Sequence, residues 1–91
     1  MEILSPAAGS GFAVQELIPF HGFADDADDG FLDGDSLTWW SDKNGLLGKG
    51  ADLPFSGVLS LGQHTIILKA EDADHNISIA SIKINIYEKF D

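Results

Sequence analysis

Six aspartates fall within the eleven residues from Asp25 to Asp35, DDADDGFLDGD. Carboxylates at this density suit a hard divalent cation, and calcium takes about six to eight oxygen ligands, mostly carboxylates and carbonyls. The spacing rules out an EF-hand loop. Gly30 at the glycine position of that loop puts Ala27 and Ser36 where ligands belong, and Gly34 there puts Phe31 and Trp40 in those places. The competing reading is a solvated loop whose aspartates cap turns through side-chain to backbone hydrogen bonds.

Aromatic chemistry is the second candidate. Trp39 and Trp40 are adjacent, so on a strand only one of them can face a core. Trp40 is the one left outside, and with Phe23, His21 and Ile67 it would form a stripe able to meet a sugar or a protein surface. The alternatives for Trp40 are packing under the Lys43–Gly50 segment or against a neighbouring module. Catalytic patterns are poor. His21, His64 and His75 sit on different strands or loops and do not converge as zinc ligands. No G-x-S-x-G elbow surrounds a serine. The chain has no cysteine, which removes thiolate metal sites, disulfides and a cysteine nucleophile. The expectation is a protein that is not an enzyme.

These groups must be held by a small body. Ninety-one residues suit one domain, spanning 1–91. A chain of this size buries roughly 60–65% of its unfolded surface, enough for one modest core. The net charge is −10, from fifteen acids against five bases. That opposes nucleic acid, whose affinity comes largely from Lys and Arg on phosphate. It equally opposes anionic membranes, and it favours cations and basic partners. No run approaches the roughly 18 continuous apolar residues of a membrane span, so no membrane insertion is expected. Met1 is followed by an acid and strand-like residues rather than a leader peptide. The expected setting is a module taken from a longer protein.

Gly, Asp and Asn punctuate the chain at short intervals, and the runs between them are rich in Ile, Leu, Phe, Val and Thr. That pattern predicts an all-β sandwich or barrel, and no 3.6-residue period is long enough for a helix. Strands are predicted over 2–4, 16–25, 36–42, 53–61, 63–72 and 77–88, with 46–50 a short connecting strand at most. In the second of these, Ile18, Phe20, Gly22 and Ala24 share an inner face, and Leu17, Pro19, His21 and Phe23 an outer one. Leu37 with Trp39, and His64, Ile66, Leu68 and Ala70, are further inner sets. In the last strand Ala80, Ile82, Ile84 and Ile86 point inward. Ile77 and Ile79 are out of phase with them, which predicts a bulge near Ser78 to Ser81.

The stretches ILSPAAGSGF, IPFHGFADDADDG, SLTWWSDKNGLLGKG, LSLGQHTIILKAEDADHN and ASIKINI follow in order. Together they resemble the bacterial immunoglobulin-like modules related to PKD and cadherin-type repeats. The W-x-F-G-D-G signature of PKD repeats proper is absent. The resemblance spans nearly the whole chain and implies an immunoglobulin-like two-sheet antiparallel sandwich of about seven strands. It implies a core position for Trp39, and for His64 a hydrogen bond to nearby backbone at the start of its strand. The loops after the second and the penultimate main strands would share one end of such a sandwich. Asp25, Asp29 and Asp35 could then meet Asp72 or Asp74 in a calcium site of the cadherin-like kind, with no other cofactor required. The implied role is non-catalytic. It is a spacer or adhesion-type module of an extracellular or cell-surface bacterial or archaeal protein, with neighbouring domains or another surface protein as partners. The alternative is a carbohydrate- or ligand-binding accessory module of a secreted enzyme, with Trp40, Phe23 and His21 at the contact.

Overall fold

A computed structural model describes residues 1–26, 30–57 and 59–88. Among them are ten strands: β1 (Glu2–Ser5), β2 (Gly11–Ala13), β3 (Ile18–Phe23), β4 (Asp25–Asp26), β5 (Gly30–Phe31), β6 (Leu37–Ser41), β7 (Gly45–Lys49), β8 (Asp52–Phe55), β9 (Gly62–Glu71) and β10 (Ile77–Tyr87). A 3-10 turn at Gly34–Ser36 leads into β6. Two sheets form the body, in the orders β1-β3-β8 and β2-β10-β9-β6-β7, and β4 and β5 make a separate two-stranded ribbon. No helix of the described residues is long and apolar enough to cross a membrane. The all-β, sandwich-like architecture follows from period-2 alternation, which gives each sheet one apolar face to bury.

The two inner faces meet through Phe20 of β3 and Trp39 of β6. Their rings stack with centroids 5.1 Å apart, and both side chains are buried. Ile18, Leu37, Leu59, Ile66, Leu68, Ile84 and Ile86 complete the layer around them. The Trp39 indole N–H donates to the Gly50 carbonyl at 2.8 Å, so this large ring enters the core with its polar atom satisfied. Gly22 faces inward on β3, where an added Cβ would lie 2.5 Å from Leu68 and 3.0 Å from Trp39. Glycine is needed there because the opposite sheet already fills the space.

The predicted inner sets of β3, β6 and β9 are the buried ones. Other expectations are corrected. β10 pairs with β9 one for one from Ile77↔Glu71 to Ile86↔Gly62, so no bulge separates Ser78 from Ser81. Ile77 and Ile79 simply point outward, with exposures of 54% and 66%. The register slips instead at Leu47, where β7 carries one residue more than β6, and at Leu4 in β1. Leu47 thereby packs against the core despite its phase. Residues 46–49 are thus part of a full strand of the larger sheet, and Gly50 lies just beyond it. Strand structure in the predicted 53–61 run ends at Phe55. The arrangement is not wholly antiparallel, because β2 runs parallel to β10. At Pro6, which has no N–H for a ladder, the chain leaves the first sheet and joins the second without reversing.

Candidate functional site

The acidic stretch begins where β3 ends. Leu32 N–H bonds back to Ala24 O at 3.0 Å, and between them Asp25 pairs with Phe31 and Asp26 with Gly30, so the described part of the segment is not a plain loop. Asp33 then turns the chain into the 3-10 turn. Its Oδ1 accepts from Gly34 N at 2.7 Å and from Ala51 N at 2.6 Å, tying this segment to the β7–β8 connection. The Ala51 and Gly34 amides stabilise the ionised form and hold the Asp33 carboxyl below its usual range. Asp35 pairs with Lys49 on β7, Oδ1 to Nζ 2.6 Å, on an open surface.

At the β9–β10 turn, Asp72 Oδ1 accepts from Asp74 N and Asn76 N, both at 2.9 Å, and Oδ2 accepts from the Asn76 side chain at 3.1 Å. This is the turn-capping use of an aspartate. His75, at φ 66°, places Nδ1 2.7 Å from Glu71 Oε2. That hydrogen bond, with the charges of Glu71 and Asp72, raises the His75 pKa above its ordinary value.

The two regions do approach each other. A small cavity of about 120 Å³ is lined by Met1, Ala24, Leu32, Ala70, Asp72, Asn76 and Ser78. Of the carboxylates expected to converge, the side chains of Asp35, Asp72 and Asp74 are described. Asp35 is engaged with Lys49, Asp72 caps its own turn, and Asp74 is exposed. Asp29 lies outside the described residues, and of Asp25 the backbone pairing with Phe31 is described. Among the described residues no group of three or more His, Asp or Glu side chains is placed to hold a metal ion.

The aromatic stripe divides. Trp40 is on the outer face of the larger sheet, cross-strand from Leu46 and from Ile67. It is half-buried, and its indole N–H donates to Thr38 Oγ1 at 2.9 Å. Beside it lies a mainly apolar hollow of about 240 Å³, lined by Asp35, Thr38, Leu46, Gly48 and Lys49. His21 and Phe23 are on the outer face of the smaller sheet, where His21 Nδ1 meets Asp52 Oδ1. The core separates them from Trp40, so they cannot act on one ligand with it. Trp40 and Ile67 do form a pair.

No family pattern, curated protein or solved structure matches this chain.

Two arrangements escaped the sequence. One is the Asp33 clamp, which joins residues far apart in the chain. The other is a buried polar network, in which His64 Nε2 bonds to Ser60 O at 2.6 Å and Nδ1 lies 2.6 Å from Ser41 Oγ. The backbone bond of His64 was the expected one; Ser41 was not foreseen. The serine on the inner face of β6, two residues after Trp39, was the available signal.

Proposed function

We propose that this chain is a non-catalytic immunoglobulin-like module that acts as a spacer or interaction unit in an extracellular or cell-surface protein. The observation that carries the reading is the path of the chain through the body. Met1 lies with Asp72, Asn76 and Ser78 at the end where β10 begins. β10 finishes at the other end, where Ile86 and Tyr87 meet Gly62 and Ala13. The molecule measures 50 × 19 × 18 Å, so β1 starts near one end of a rod and β10 finishes near the other. Successive modules of this kind would extend a chain rather than fold it back.

Further support comes from the strand order. A first strand on the smaller sheet continues as a second strand parallel to the last strand on the larger one. That order fits an immunoglobulin-like sandwich lacking one edge strand of its smaller sheet. Neighbouring domains of the same chain are the proposed partners. Calcium would enter this scheme only where an adjoining domain supplies the missing oxygens.

Two copies joined in series test the spacer reading by X-ray scattering. The expected particle has a longest dimension close to twice that of one copy. A compact particle little longer than one copy would sink it. A second reading rests on Trp40 and the hollow beside it, which would suit a sugar ring. A saturable change in tryptophan emission on adding soluble polysaccharide, lost in Trp40→Ala, would favour that reading over the spacer.

A further inference from the structure

The last strand has two edges. β9 covers one of them along ten successive pairs, Ile77↔Glu71 to Ile86↔Gly62. β2 covers the other only at Asn85, Ile86 and Tyr87. Just before that point Gly9 N donates to Lys83 O at 2.7 Å and Asn85 N to Ser10 O at 2.9 Å. In an antiparallel ladder each residue turns both its N–H and its C=O to the same side, and alternate residues turn to opposite sides. The bonds at Lys83 and Asn85 therefore assign the odd-numbered residues to the edge away from β9. Ile77, Ile79 and Ser81 direct their donors and acceptors there, and among the described residues no strand pairs with them.

β1 comes close to β10, but among the described residues no strand is hydrogen-bonded along this stretch of edge. Natural edges are blunted by lysine, proline, a bulge or a cover. Ile77 to Ser81 reads Ile-Ser-Ile-Ala-Ser, with no charge and no proline. Its register is regular, and Ile77 and Ile79 are its large apolar side chains left exposed, with Ser78 and Ser81 exposed beside them.

We propose that the Ile77–Ser81 edge pairs antiparallel with the same edge of a second copy, about a two-fold axis at Ile79. Ile79 then faces Ile79, and Ile77 faces Ser81 of the other copy. Charge selects this arrangement. Glu71, Asp72 and Asp74 cluster at the start of β10, and Lys83 stands toward its far side. Antiparallel pairing brings each Lys83 opposite His75 and next to the acidic turn of the other copy. Parallel pairing would stack the two acidic turns on each other and disfavour itself. Such an interface is isologous and closes at two copies. It is short, so its affinity is weak, and it acts where copies are held close together, as on a surface or in an array. It uses the long side of the rod and does not depend on the end-to-end reading above.

The test is sedimentation equilibrium from micromolar to millimolar protein, with amide hydrogen exchange on the same samples. The mass is expected to rise toward that of a dimer, and the Ile77, Ile79 and Ser81 amides are expected to gain protection with concentration. Ile79→Lys sets two like charges face to face and should weaken association by about tenfold or more. Ile79→Pro removes an N–H that β9 does not use and should do the same. Lys83→Glu should also weaken it, and adding Asp74→Lys to Lys83→Glu should restore it. A monomer at every concentration overturns the proposal. So does a dimer whose protected amides lie on another edge, or a charge swap that fails to restore pairing.

Discussion

Ser41 and His64 meet in the core between β6 and β9, with Ser41 Oγ 2.6 Å from His64 Nδ1. His64 Nε2 faces the Ser60 carbonyl, which can only accept, so this nitrogen carries a proton. Ser41 Oγ in turn takes longer contacts from Lys43 N and Asn44 N at 3.2 and 3.3 Å. The hydroxyl hydrogen therefore goes to Nδ1, and this assignment follows from the network. One imidazole thus ties the β6–β7 turn to the segment entering β9. No buried polar side-chain atom among the described residues is left without a partner.

Replacing His64 with Ala should be costly. It opens a cavity and strands the Ser41 hydroxyl and the Ser60 carbonyl, with an expected loss of about 2–4 kcal/mol. Urea denaturation of His64→Ala against the parent chain checks this. A change within error of zero would mean that the network contributes nothing to folding.

Gly22→Ala should destabilise by overpacking rather than by lost contacts. The new methyl would be driven against Leu68 and Trp39. The expected cost is about 1–3 kcal/mol, read as a lower denaturation midpoint with an unchanged slope. Trimming Leu68 as well, in Gly22→Ala with Leu68→Val, should recover part of that loss relative to the two single changes added together.

Acid should loosen the Asp33 clamp. The folded-state pKa of Asp33 lies below its usual value because Ala51 N and Gly34 N favour the carboxylate. A depressed pKa gives stability that is present above the unfolded value, near 3.8, and is lost as pH falls through the folded one. Amide exchange of Ala51 and Gly34 should therefore show protection at neutral pH beyond that in Asp33→Ala. The difference should close on acidification. Equal protection in the two proteins at neutral pH would contradict the clamp.

Calcium should leave the thermal midpoint of the isolated chain unchanged relative to excess chelator. Asp35 is paired with Lys49, and both oxygens of Asp72 accept hydrogen bonds within its turn. A midpoint that climbs with calcium, and falls back in Asp72→Asn, would instead place a cation among Asp25, Asp29, Asp35, Asp72 and Asp74.

Alternation along the chain was enough to specify the all-β body, the inner faces of β3, β6 and β9, and the burial of Trp39. A strand has only two faces, so one apolar set per strand leaves one choice. The sequence also placed Trp40 outside, while a backbone contact for His64 was what the resemblance implied. Tertiary structure decided the rest. Trp40 and Ile67 share a face because β6 and β9 are neighbours, whereas His21 and Phe23 ended on the far side because β3 joined the other sheet. Strand phase reports inward or outward, never which sheet. Asp33 became a clamp only when the β7–β8 connection came beside it. Ile77 and Ile79 break the apolar pattern without breaking the ladder, because hydrogen bonding to β9 fixes backbone register whatever the outer side chains are. Three-residue β2 and the Leu47 slip are too short to leave a period in the sequence, and both arise from how the chain passes between two packed sheets.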